Sequence, residues 1–180
     1  GILHHEEGVD FLPANIELAG LEITLVNVMS RETVLKRILS DDSLSCYDYI
    51  IIDCLPSLGI LMVNALTASD YVIVPVQAQK FALDGIHLFL NAFTQVKRNL
   101  NPHLELLGVL LTMYDNTNMA KAVREALSEQ FGEKIFNTVI SRSVEAANST
   151  YEKKSLTARK SSKLGKQYLS FTQECMERGC

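Results

Sequence analysis

The 180 residues are 47% hydrophobic and 21% charged with a formal net charge of −4, a globular composition that excludes a disordered or collagen-like chain. No uninterrupted apolar run approaches the roughly 20 residues a membrane span needs, and four cysteines without a C-x-x-C pair argue against a disulfide framework and for a reducing compartment. The charge is uneven: residues 1–152 hold 10 Lys and Arg against 19 Asp and Glu, and residues 153–180 hold 7 against 2, so a polyanion would meet the tail first.

Taken in chain order, Val9 to Pro13 reads as a short strand. Apolar residues at helical spacing follow from Ile16 to Leu39, interrupted at Ser30, which is placed to cap a second helix. Tyr49–Asp53 reads as a buried strand, Leu58–Ala68 as a helix and Tyr71–Val76 as a strand. Leu83–Leu100 is a longer helix stopped by Asn101-Pro102. Leu104–Met113 is a strand, Met119–Phe131 an amphipathic helix ended by Gly132, and Lys134–Ile140 a strand. Val144–Ser162 is loop-like and polar, and Lys163–Met176 is the last helix. Strands alternating with helices, the strands being continuous apolar runs, predict an α/β fold with a mostly parallel sheet flanked by helices. The chain is expected to form one domain, with an acidic body over 1–152 and a basic loop and final helix over 153–180.

The most informative stretch runs from Tyr47 to Gln77. A buried strand that ends on an acid, Asp53, is how a nucleotide-hydrolysing sheet presents a carboxylate near magnesium. The alternative is a strand-end Asp that caps the next helix. Pro56 fixes the following turn and Ser57 is placed to cap the helix, which would set backbone amides and a hydroxyl beside Asp53. No G-x-x-x-x-G-K-[ST] phosphate loop occurs anywhere in the 180 residues.

The run DCLPSLG…NALTASDYVIVPVQAQKFALDGI closely resembles the ParA family of partition ATPases, a deviant-Walker branch of the P-loop fold that includes Soj. EEGVDFLPANIELAGLE, Leu110 to Asp115, and Ile140 to Val144 resemble further stretches of the family in the same order. The resemblance implies a Walker-B role for Asp53, holding Mg2+ through water, with Pro56 and Ser57 in a nucleotide-responsive switch. It places Gln77 at the same sheet edge. Thr112, Met113 and Asp115 would lie on the base side of ATP, and Arg142 in the loop that closes over it; for Thr112 and Met113, ordinary strand-end packing is nearly as good a reading. The resemblance further implies ATP-dependent homodimerisation, binding of double-stranded DNA without sequence preference, a ParB-like adaptor that stimulates hydrolysis, and a cytoplasmic, nucleoid-associated location. The family's phosphate loop and its lysines would precede Gly1, so the chain reads as N-terminally truncated and is expected not to hydrolyse ATP alone.

Two positions depart from the family's basic surface: Glu129 stands before Phe131-Gly132, and Glu145 follows Val144. Lys153, Lys154, Arg159, Lys160, Lys163 and Lys166 are candidate replacements for DNA contact, or a solvated face. His4-His5 with Glu6-Glu7 reads as a surface stretch and not a metal site, and Cys54 as a buried small apolar residue. The alternative function is a non-hydrolysing DNA- or protein-binding regulatory module. A MinD-like membrane-positioning ATPase, using the last helix, comes third; that helix is expected to dock on the sheet.

Overall fold

The computed structural model describes residues 1–55, 57–79 and 82–179, apart from the side chains of Ala19, Ala82, Leu83 and Asp84. Its backbone contacts fall into two units, Gly1–Ala68 and Ser69–Cys180.

The first unit opens on a small antiparallel hairpin, β1 (Leu3–His4) with β2 (Asp10–Phe11). Asp10 fixes it: its carboxylate accepts the Tyr47 hydroxyl at 2.7 Å and meets His4 Nδ1 at 2.6 Å. These bonds hold the Asp10 carboxyl below its ordinary value, and the bond to Asp10 pushes the Tyr47 phenol up to about 12. Helices α1 (Glu17–Leu25), α2 (Val34–Leu39) and α3 (Ile60–Ala68) follow, with a 3-10 turn at Arg31–Thr33. Ser30 does break the helical run, but not as a side-chain cap. It takes a left-handed φ of 54°, and its carbonyl accepts the Thr33 hydroxyl at 2.9 Å. Asn64, only 4% exposed, joins α3 to α2. Its Nδ2 donates to Arg31 O at 2.7 Å and Ile60 O at 2.9 Å, and its Oδ1 accepts from Leu35 N at 3.1 Å. It thereby supplies a partner for one of the amides that the start of α2 leaves over.

The expected buried strand at Tyr49–Asp53 does not form. The segment belongs to neither sheet among the described residues, and Ile51 is 93% exposed. An apolar run is only competent to be a strand; it becomes one when its amides and carbonyls find a ladder.

The second unit is built on a parallel pair, β3 (Tyr71–Gln77) and β4 (Glu105–Thr112), in register from Tyr71↔Glu105 to Gln77↔Thr112. Val72 pairs with Leu106 and Ile73 with Gly108, so one residue of β4 is extra. This bulge flips the inside–outside alternation. Leu107 and Leu110 consequently pack on one side with Phe136, Ile140, Leu156, Leu164 and Cys175. Val109 and Leu111 pack on the other with Val76, Ile86, Ala120, Val123 and Leu127. The latter face is covered by α4 (Ala82–Asn99) and α5 (Asn118–Phe131), the former by α7 (Lys163–Glu177).

Residues 134–140, expected as a strand, only approximate one. Phe136 N donates to Val109 O and Ile140 N to Leu111 O, but the ladder reduces to isolated bridges, Val109↔Ile135 and Tyr114↔Ser141. Between them the amides of Asn137 and Thr138 turn to the Glu174 carboxylate at 2.7 and 2.9 Å. Arg178 donates to Ile135 O at 2.7 Å and to Glu174 at 2.9 Å, and stacks 4.1 Å from the Phe136 ring centre. This close approach requires glycine at 108, where an added Cβ would lie 2.6 Å from Lys134 O. The stretch 144–162, expected as loop, contains α6 (Glu145–Glu152), a helix with no buried residue, closed by Lys153 at a left-handed φ of 51°.

Candidate functional site

The C-terminal ends of β3 and β4 carry the candidate site of the second unit, at the kind of rim where open α/β sheets bind ligands. Gln77 and Thr112 are register partners there, and Thr112 Oγ1 donates to Val76 O at 3.3 Å. The chain then makes a sharp loop. Met113 (φ 52°) and Asn116 (φ 60°) both adopt the left-handed conformation, which side chains other than glycine occupy at a cost. Met113 is 51% exposed, whereas Tyr114 is buried and roots the loop in the core. Asp115 Oδ1 accepts from Thr117 Oγ1 at 2.8 Å and Thr117 N at 3.2 Å, and Thr117 in turn caps α5 by accepting from Ala120 N at 3.2 Å. The Thr117 hydroxyl and amide hold the Asp115 carboxyl below its ordinary value, with the positive charge of Arg142 adding to the effect. Arg142 arrives through the backbone: Tyr114 N donates to Ile140 O and Arg142 N to Tyr114 O, each at 3.1 Å. Thr112, Met113, Asp115 and Arg142 therefore share one edge of the second unit.

Beside Arg142 lies a small cavity of about 110 Å³ lined by Ser141, Arg142, Ser143, Glu145, Lys163, Leu164 and Gln167. Glu145 has local work here: its carboxylate accepts from the Ser162 hydroxyl, and Ser162 caps α7 by accepting from Gly165 N at 2.9 Å. Gln167 and Thr117 both build this edge and neither is named by the sequence pattern. Thr117 carries a local signal, an oxygen-bearing residue just before an amphipathic helix. Gln167 has none, because its partner lies 26 residues away.

Asp53 is exposed, in a segment of the first unit that is neither helix nor strand. Pro56 lies outside the described residues. Ser57 is exposed and does not cap the helix, which begins at Ile60 with Gly59 O accepting from Val63 N at 3.2 Å. Cys54, expected to be buried, is exposed. Among the described residues no group of three His, Cys, Asp or Glu stands close enough to cage a metal. A single carboxylate such as Asp53 does suit Mg2+, which commonly takes one or two protein oxygens and completes its shell with water and phosphate. Lys153, Lys154, Lys160, Lys163 and Lys166 are exposed and form no ion pair among the described residues, while Arg159 pairs with Glu152. Lys163 and Lys166 border a second, larger groove with Thr138, Val139, Gln167 and Ser170. Among the described residues no helix is long and apolar enough to cross a membrane.

A parallel strand pair covered by helices on both faces is an α/β architecture, and comparison with known proteins makes the family definite. A family profile described as an AAA domain matches residues 2–106. The sporulation initiation inhibitor protein Soj of Bacillus subtilis is 50% identical over 139 residues, covering 77% of this chain and 54% of its own. The chromosome-partitioning ATPase Soj of Treponema pallidum is 38% identical over 168 residues, covering 88% of this chain and 66% of its own. Among solved structures, cobyrinic acid a,c-diamide synthase from Mycobacterium smegmatis with bound ADP and magnesium superposes with a TM-score of 0.73 at 35% identity, covering 84% of this chain and 66% of that one. The chain belongs to the ParA/Soj family, and its fold is of the P-loop ATPase type. It spans between about half and two thirds of the length of these relatives.

Proposed function

We propose that these residues are part of a ParA-like partition ATPase that separates copies of a plasmid or chromosome. In this reading ATP and Mg2+ clamp two subunits together, the dimer binds double-stranded DNA without sequence preference, and a ParB-like adaptor stimulates hydrolysis in a cytoplasmic, nucleoid-associated cycle. The observation that carries the reading is the loop 112–117 with Arg142 at the C-terminal sheet edge, in a chain 50% identical to Soj over 139 residues. Thr112, Met113, Asp115 and Arg142 form the base side, and Asp53 with Pro56 and Ser57 the magnesium and switch side. Mg2+ bound at Asp53 would neutralise charge on the phosphates. No phosphate-cradling glycine–lysine loop is among the 180 residues, so the chain alone is expected to show no ATP turnover.

The test is a chimera in which this chain replaces the matching segment of the Treponema pallidum relative. Such a chimera should hydrolyse ATP, and Asp53→Asn should lower its turnover by roughly 100-fold or more, the usual effect of removing one electrostatic contributor to the transition state. A folded chimera whose turnover is indifferent to Asp53→Asn refutes the role given to Asp53. Turnover by the isolated 180-residue chain refutes the reading of it as half a site.

A further inference from the structure

Gln167 spends both ends of its side-chain amide on one residue. Its Oε1 accepts the Ser141 N–H at 3.0 Å, and its Nε2 donates to Ser141 Oγ at 2.8 Å. Ser141 is bridged to Tyr114, and the amide of the next residue, Arg142, donates to Tyr114 O. Position 141 is thus held by the end of β4 and, separately, by α7. A two-point grip by a planar amide sets direction as well as distance, because a half-turn of the group exchanges donor with acceptor and breaks both bonds. The preceding residues are also tied to α7, through Glu174 at Asn137 and Thr138 and through Arg178 at Ile135. Gln167 holds the point where the chain leaves the sheet and delivers Arg142 beside Asp115.

We propose that Gln167 is a positioning residue for nucleotide-base recognition: from α7 it fixes the backbone at Ser141 and so the place of Arg142 at the base-side edge. The inference rests on the reading of residues 112–115 and 142 as the base side. Gln167 does not itself touch the ligand; its influence passes through Ser141 to Arg142. The last helix thereby becomes part of the base site although it contributes no contact to it.

The experiment is an adenosine titration of the 180-residue chain, followed at the backbone amides of Tyr114 to Thr117 and of Arg142 by NMR. Adenosine should shift these amides in the wild type. Gln167→Met, close in length and unable to make either bond, should weaken adenosine binding by about tenfold, the scale of one or two lost hydrogen bonds. Ser141→Ala removes one of the two bonds with little packing change and should weaken it by about threefold. Gln167→Glu keeps two acceptors for the Ser141 N–H and hydroxyl and should retain most of the affinity. The decisive arm is the double variant. In an Arg142→Ala background Gln167→Met should change adenosine affinity no further, whereas a merely structural role would give additive losses. Equal adenosine affinity in wild type, Gln167→Met and Ser141→Ala, or additive losses in the double variant, overturns the positioning role alone. A wild type that gives no adenosine response overturns the base-side reading and this proposal with it.

Discussion

Truncating Glu174 to alanine should unfasten the third stretch of the sheet without touching its apolar core. The carboxylate is 13% exposed and its Arg178 partner 19%. It accepts from the amides of Asn137 and Thr138, from Asn137 Nδ2 at 3.2 Å, and from Arg178. Burial alone would raise its pKa, yet the backbone bonds from Asn137 and Thr138, helped by Thr138 and the Arg178 guanidinium, hold it below the ordinary glutamate value. Removing it leaves two amides without their acceptor and a half-buried guanidinium without its carboxylate. Loss of charged hydrogen bonds and of one member of a largely buried pair together cost about 3 kcal/mol. Amide hydrogen exchange is the direct assay: protection at Phe136 to Ile140 should fall by about 100-fold, since 1.4 kcal/mol is a factor of ten, while protection in α5 should fall less. Because the folded-state pKa is depressed, this stabilisation is fully present above the ordinary glutamate range and is lost as the pH falls through the depressed value. The same amides should therefore lose protection on acidification in the wild type and show no such step in Glu174→Ala. Unchanged exchange at Asn137 and Thr138 in the variant would refute the reasoning.

Three further outcomes follow from the packing and the charges. Gly165→Ala should destabilise the second unit by about 1–3 kcal/mol in urea unfolding, because the new Cβ would sit 2.2 Å from Leu156 O; a neutral result would show that the loop before α7 yields freely. Asn64→Leu, similar in size but unable to donate or accept, should cost the first unit about 2 kcal/mol for the partners it strands at Arg31, Leu35 and Ile60, seen as faster exchange of the Leu35 amide. Replacing Lys160, Lys163 and Lys166 by Glu should weaken retention on duplex DNA at low salt and reduce the salt slope by about 0.9 per lost phosphate contact; retention with an unchanged slope would assign those lysines to a solvated face.

The second unit was legible where burial and periodicity agree. β3, β4, α4, α5 and α7 stand within one residue of their expected bounds, because each is an apolar run or an amphipathic stripe with a clear stop such as Asn101-Pro102 or Gly132. The failures arise where a distant partner decides. Tyr49–Asp53 has the composition of a strand, but membership of a sheet depends on a neighbour, which composition does not report. The stretch 134–140 is expected as a strand and forms only isolated bridges, since nothing local foretells that a carboxylate 36 or 37 residues onward would take the amides of Thr138 and Asn137. α6 was missed because a helix that buries nothing has no apolar stripe to reveal it. At the candidate site, the resemblance singles out Thr112, Met113, Asp115 and Arg142, which the backbone brings to one edge; the left-handed conformations and the grip of Gln167 are not legible, since backbone conformation and contacts across 26 residues leave no mark on spacing.

The fastening of residues 135–141 by α7 has a consequence for self-association. Phe136 and Ile140 send their amides inward to β4, while Asn137, Thr138 and Ser141 send theirs to Glu174 and Gln167. A foreign strand arriving at that margin finds three of its donors already engaged by side chains of a helix, which disfavours further growth there. Three polar residues at positions 167, 174 and 178 act as a selvedge, finishing the fabric where an unpaired row would otherwise invite another chain.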